Sequence, residues 1–341
     1  MDCALDLTFS PSYPIPAPYP FDHPQADLIL RSSDSPPVDF RVFKLLLSLS
    51  SPFFSTLLTL PQPPPQLPIS PLLSPRTIDG AFSDNELPSI VQMSEDQTTL
   101  RVLLGFCYPI STHEMPHFAS LTELQSVIEA ARKFEMDGIL NHVRQNELVS
   151  PRFLEAQPVR VFAIGFMHHW VDEAKLAARY TLRHPIPGPY AEELERIPAG
   201  AYHRLQEYHQ TCGIVASSRA EIAAASESDD RWVWLECREC PSSSRENDQP
   251  WFAFRLGSSQ RGGPRQWWAN WLKGVARLLQ TRPRGETLRD YDLMRRALAE
   301  AGDCWFCLQR ARDDLESFIQ ILGAQIEKDI SQVELNVDFP S

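Results

Sequence analysis

Prolines set the first constraint on this chain. There are 30 of them, and two dense runs decide where regular structure can start and stop. Residues 1–24 carry Pro11, Pro14, Pro16, Pro18, Pro20 and Pro24, and residues 61–88 carry eight more. Each proline fixes φ and removes a backbone donor, so neither a helix nor a hydrogen-bonded ladder is expected through either run. Residues 1–24 read as a disordered, Pro-rich leader, and 61–88 as a low-complexity surface insertion. An extended leader of this kind also suits an SH3-like domain, although a plain tail needs no partner.

The sequence between and after these runs is periodic. Ala26–Arg31 and Val38–Val42 flank the turn signal Asp34-Ser35-Pro36-Pro37 and predict a hairpin. From Phe43 to Leu60, apolar residues recur at helical spacing (Leu46, Leu49, Phe53, Leu57), and Pro52 divides the run into two helices. Ser89–Met93 predicts a strand. Ser94-Glu95-Asp96 supplies the cap and first-turn acids of a helix over 97–108, and further helices are expected over 121–134 and 137–148. Together these give an α+β domain over residues 25–150 with the insertion at 61–88. Leu46, Phe53 and Phe106 are expected in its core.

Residues 151–228 predict an all-α extension of short helices over 159–164, 172–182, 191–197 and 199–212, punctuated by Pro185, Pro187 and Pro189. Residues 229–341 form a Cys/Trp-rich C-terminal module. Seven of the eight tryptophans and four of the seven cysteines lie within 231–310, and an amphipathic helix over 308–329 closes it.

Charge and cysteine usage exclude several classes. An excess of 44 acidic over 32 basic residues, net −12, argues against a chain that tracks a nucleic-acid backbone along its whole length. No Lys or Arg precedes Arg31, the apolar run 45–60 is too short to cross a bilayer, and no Asn-x-Ser/Thr acceptor occurs. No membrane association is expected. An intracellular location, in cytoplasm or nucleus, follows as the expectation, with the cysteines as reduced thiols or metal ligands. No GxSxG, Walker loop, GxGxxG or HExxH is present, and the carboxylates show no acid/base spacing. The chain is therefore not expected to be an enzyme.

Residues 25–150 resemble the BTB/POZ family, specifically its fungal branch. The matching blocks are Ala26-Asp27-Leu28-Ile29-Leu30, Val38 through Ser48, Ser51-Pro52-Phe53-Phe54, Leu103 through Tyr108, and Val127 through Met136, all in family order. The helices that follow, through Tyr202-His203-Arg204-Leu205, are similar to the extension that fungal members carry. The resemblance implies a protein-interaction module that self-associates as a homodimer. Two residues depart from the pattern: Phe43 stands where most members have His, and Leu100-Arg101-Val102 has Val where cullin-docking members have Glu. Docking on a cullin scaffold is accordingly not expected.

The sharpest chemical signal is a pair of knuckles, Cys237-Arg238-Glu239-Cys240 and Cys304-Trp305-Phe306-Cys307. Two CxxC pairs can present four thiolates to one tetrahedral structural zinc ion. The 63 residues between them (241–303) exceed a compact zinc ribbon, but each doubling of a loop costs only about 0.6 kcal/mol of closure entropy. Free reduced thiols, a substitution of His209-x-x-Cys212 for one pair, and a redox CxxC remain open alternatives.

One further stretch invites a different function. Residues 261–284 hold Arg261, Arg265, Lys273, Arg277, Arg282 and Arg284 with no acid, interleaved with Trp267, Trp268 and Trp271. Such a pattern can stack bases and neutralise phosphates, which would make the chain a transcription-associated regulator. Trp268, Trp271, Val275 and Leu278-Leu279 also lie at helix spacing, and the acidic whole favours a solvated basic face over a Trp-anchored helix. The reading adopted is a protein–protein interaction adaptor, with nucleic-acid contact as the alternative.

Overall fold

The computed structural model describes residues 13–60, 88–109, 111, 113–223, 232–242 and 264–339. Residues 1–12 of the expected leader and 61–87 of the expected insertion lie outside the described residues. The chain forms two compact units, Met1–Leu148 and Val149–Ser341; both expectations of mixed α+β content and of a helical second half hold at this level.

The first unit is built on a four-stranded sheet of order β1-β3-β2-β4: β1 (Ile15–Pro16), β2 (Leu28–Arg31), β3 (Val38–Val42) and β4 (Ser89–Gln92). The hairpin is as expected: β2 and β3 are antiparallel, with Leu28 opposite Val42 and Arg31 opposite Asp39, and Arg31 forks onto the Asp39 carboxylate at 2.7 and 2.9 Å. Val38, Phe40 and Val42 alternate inward, as a half-buried strand requires. Strand β4 joins β2 in parallel.

The leader departs from expectation. Strand β1 pairs in parallel with β3, with Ile15 opposite Val38 and Pro16 opposite Asp39. The ladder survives because only alternate residues donate inward: Ile15 N–H reaches Pro37 O and Ala17 N–H reaches Asp39 O, each at 2.9 Å. Pro16 falls between them, where its missing donor is not needed. Ala17 and Phe21 are buried, and Phe21 meets Phe40 and Tyr108 edge-on, centroids 5.5 and 5.2 Å apart.

Helices α1 (Lys44–Ser50) and α2 (Pro52–Thr59) divide at Pro52, as the sequence requires. The Ser51 hydroxyl caps α2 by accepting from Phe54 N–H at 3.0 Å, and donates to Phe134 O at 2.5 Å. Helix α3 (Gln97–Cys107) starts on the Asp96 carboxylate, which accepts from Thr99 N–H. Helices α4 (Leu121–Lys133) and α5 (Asp137–His142) follow, and a wider π turn over Val143–Leu148 ends the unit. The expected core residues Leu46, Phe53 and Phe106 are only half-buried. Their neighbours Leu47, Phe54 and Cys107 are buried instead. Both faces of these helices carry apolar residues, so spacing alone placed the inward stripe one residue out of phase.

The second unit is helical: α6 (Pro151–Ala156), α7 (Pro158–Met167), α8 (Val171–Thr181), a 3-10 turn over Glu192–Arg196, α9 (Ala199–Ala223), α10 (Val233–Glu236), α11 (Gln266–Leu279), a 3-10 turn over Gly285–Arg289, α12 (Tyr291–Gly302), α13 (Trp305–Leu308) and α14 (Ala311–Ile330). Helix α9 continues 11 residues past the expected end at Cys212. Gly213 does not break it. It permits close packing, since a Cβ there would stand 2.6 Å from Gln280 O at the end of α11. Helix α9 packs on both α11 and α14, so the expected extension and the Cys/Trp-rich module belong to one compact body.

Candidate metal centre

Short polar contacts and an aromatic core bring the two knuckles together. Trp234 on α10 is sandwiched, near-parallel, between Trp232 and Trp268 with centroids 5.0 and 5.3 Å away. Phe318 of α14 meets Trp232, Trp234, Trp268 and Trp271 edge-on. This cluster fixes α10 against α11 and α14, and Cys237 emerges directly from the end of α10, its N–H bonded to Val233 O. Arg265 then clamps the first knuckle: its N–H donates to Trp234 O at 3.0 Å and its Nη1 to Cys240 O at 2.8 Å.

The second knuckle is carried by α13. Cys304 is its N-cap, and the Cys304 and Cys307 carbonyls accept from Leu308 N–H and Arg310 N–H. Arg310 reaches back to Glu236 at 2.6 Å and forward to Asp314 at 3.2 Å, while Asp314 accepts from Val233 N–H at 2.8 Å.

The outcome is one cluster. The four Sγ atoms of Cys237, Cys240, Cys304 and Cys307 lie within 4.8 Å of one another. Cys237–Cys304 and Cys240–Cys307, both pairs across the knuckles, are separated by 3.7 Å. A tetrahedral ion with Zn–S bonds of about 2.3 Å requires S···S edges of about 3.8 Å, whereas a disulfide would require about 2.0 Å. All four are free thiols, and Cys237, Cys304 and Cys307 are buried. The donor set therefore fits a thiophilic divalent ion such as zinc.

Electrostatics lead to the same fit. Burial raises the Cys237 thiol, but the N–H groups of Cys240 and Glu239 and the thiols of Cys307 and Cys304 outweigh it and hold the group below its ordinary value. Burial, with the neighbouring thiols Cys304 and Cys237, pushes Cys240 up to about 12. Cys307 is likewise raised, chiefly by burial. The cluster thus favours a thiolate at Cys237 and disfavours one at Cys240 or Cys307 until a cation balances the charge. The buried Trp267 indole N–H meets no oxygen or nitrogen acceptor; it favours the Cys307 thiolate, an orphan donor that a metal-bound sulfur would satisfy.

The alternative ligand pair is not recruited. His209 bonds the His184 carbonyl at 3.0 Å, and among the described residues the four cysteines are the one cluster of three or more metal-capable side chains. The Trp-anchored helix favoured for residues 261–284 is present, and the alternative stacking platform finds no support among the described residues: Trp267, Trp268 and Trp271 are buried core, and Arg282 and Arg284 pair with Asp290 and Glu327. Sequence reasoning missed Glu236, Arg265, Trp267 and Arg310 as supports of the centre, because no local pattern marks a residue that acts on a knuckle distant in sequence. Among the described residues no helix is long and apolar enough to cross a membrane. The chain matches no family model, and no curated protein matches it.

Proposed function

We propose that the chain is a non-catalytic protein-interaction scaffold, with a BTB/POZ-like first unit that docks protein partners, including a second copy of itself. The observation that carries this reading is on α1. Leu47 is buried there, while Leu45 and Leu49 stand 68% and 76% exposed. One helical turn apart, they share a face, and large apolar side chains held outward in this way suit coverage by a partner. The hairpin, helix pair, parallel strand and following helices also occur in the order that the family resemblance implies.

In the second unit, the scaffold reading includes one structural zinc ion held by Cys237, Cys240, Cys304 and Cys307. Four thiolates close the coordination sphere and leave no position for a substrate, unlike catalytic zinc sites, which keep one open. Nucleic-acid contact through residues 261–284 has less support, because its tryptophans are internal.

Light scattering and affinity capture with the full chain test this reading. Wild-type protein is expected at about twice 38.8 kDa, and a Leu45→Glu/Leu49→Glu variant with an unchanged melting point should lose self-association or defined partners. A monomer whose captured partners are the same with and without the two leucines would overturn it.

A further inference from the structure

We infer that α13 and the cavity beside it form a docking surface for an arginine-bearing segment of a partner protein. This deepens the scaffold reading by naming the partner's chemistry, and it rests on that reading. Helix α13 has four residues, Trp305-Phe306-Cys307-Leu308, and only the thiol points inward. Trp305, Phe306 and Leu308 are 73%, 41% and 56% exposed. So short a helix has no stability of its own; the Cys304 and Cys307 carbonyl contacts and the Arg310–Glu236 pair hold it in place. Three large apolar side chains fixed outward on one turn form a contact patch.

The neighbouring cavity specifies charge. It measures about 390 Å³, and Glu239, Glu300, Asp303, Trp267, Cys304 and Trp305 contribute to its lining. That volume accommodates a long side chain. Its three carboxylates come from separate places, the first knuckle, α12 and the α12 C-cap. Among the described residues none of them meets a Lys, Arg or His within ion-pair distance. Among the described residues Glu300 accepts from the Asn270 amide at 3.3 Å, and Glu239 from the Cys304 thiol at 3.5 Å. A bound zinc tetrathiolate would add two negative charges beneath the same surface.

An anionic cavity edged by an exposed indole suits a planar cation. A guanidinium can stack on the Trp305 ring and fork onto a carboxylate, whereas an ammonium is a strongly hydrated point charge that cannot fork. Apolar residues flanking the arginine would cover Phe306 and Leu308. A second copy of this chain meeting this face with its own is a poor occupant, since Glu239, Glu300 and Asp303 would then stand opposite the same three carboxylates and like charges repel across an interface.

Fluorescence anisotropy with the full chain tests the inference. The probe is a fluorescein-labelled peptide of alternating arginine and leucine, compared with the same peptide carrying neutral citrulline for arginine. Zinc content is measured in each sample. The arginine peptide should bind at least about tenfold more tightly, and added salt should weaken it. Trp305→Ala and Glu300→Gln/Asp303→Asn should each lose about tenfold at unchanged zinc content and melting point. Equal binding of the two peptides, or binding indifferent to both variants, overturns the inference. So does self-association that disappears in Trp305→Ala, which would make the face a contact between copies. Loss of the partners that depend on Leu45 and Leu49 is a separate outcome and bears on the scaffold reading alone.

Discussion

Arg310 Nη1 meets Glu236 Oε2 at 2.6 Å, joining the residue before the first cysteine pair to the residue three places after the second. Both side chains are partly exposed, so the pair alone contributes at most about 1 kcal/mol. Its place is between the knuckles, where it ties the two segments that carry the cysteines. Glu236→Gln should therefore weaken zinc binding by no more than about tenfold without changing stoichiometry, as read by competition with a chromophoric chelator. Complete loss of zinc in that variant would mean that the ion pair, more than the thiols, defines the centre.

Metal removal should act on one unit only. Purified protein is expected to carry about one zinc per chain, and chelation or Cys240→Ser should loosen residues 149–341 because metal binding energy is folding energy there. The near-UV signal of the Trp232–Trp234–Trp268 stack should fall, while hydrogen exchange in the first unit stays unchanged. Metal-free protein with four titratable thiols and an intact tryptophan signal would reject the site.

The phase of α2 gives a direct comparison. Phe54 is 2% exposed and packs on Phe134 with centroids 5.0 Å apart, so Phe54→Ala should cost about 3–5 kcal/mol. Phe53, half-buried beside it, should cost clearly less. Urea unfolding of the two variants decides the matter, and equal losses would contradict the phase seen in the fold.

His209 makes the second unit acid-sensitive. Burial lowers its pKa below the ordinary value, although hydrogen bonds to the His184 and Thr181 carbonyls oppose the shift. The folded state therefore takes up its proton later than the unfolded state as pH falls. Stability from the neutral ring is fully present above the unfolded value of about 6.5 and declines as pH drops toward the folded value. Melting temperature measured between pH 7.5 and 5 should fall less steeply in His209→Gln than in wild type. Parallel slopes would show that other groups set the acid limb.

Legibility followed locality. The hairpin over 28–42, the break at Pro52 and the Asp96 cap each rest on adjacent residues, and each stands where the sequence put it. The CxxC pairs were legible for the same reason, but their meeting depends on Arg265, Arg310 and a stack of indoles, none of which short spacing encodes. Helix phase was harder: with Leu45, Leu46, Leu47 and Leu49 all apolar, period alone could not say which one faces in. Gly213 reads as a stop in sequence, and only the approach of the Gln280 carbonyl reveals it as a packing residue. Trp268, Trp271 and Val275 were legible for the opposite reason: their helical spacing marked a Trp-anchored helix despite its basic neighbours, and all three are buried.

Strand β1 has a consequence for how this protein can aggregate. Ile15 and Ala17 direct their N–H groups inward to Pro37 and Asp39, so the outward-facing positions between and around them are Pro14, Pro16 and Pro18. Proline has no N–H, and that rim of the sheet offers carbonyls without donors. A foreign strand arriving there could complete only half a ladder, which makes the rim a poor seed for fibril growth. Replacing Pro16 with valine would restore one of the missing donors and, with it, part of a template for templated growth.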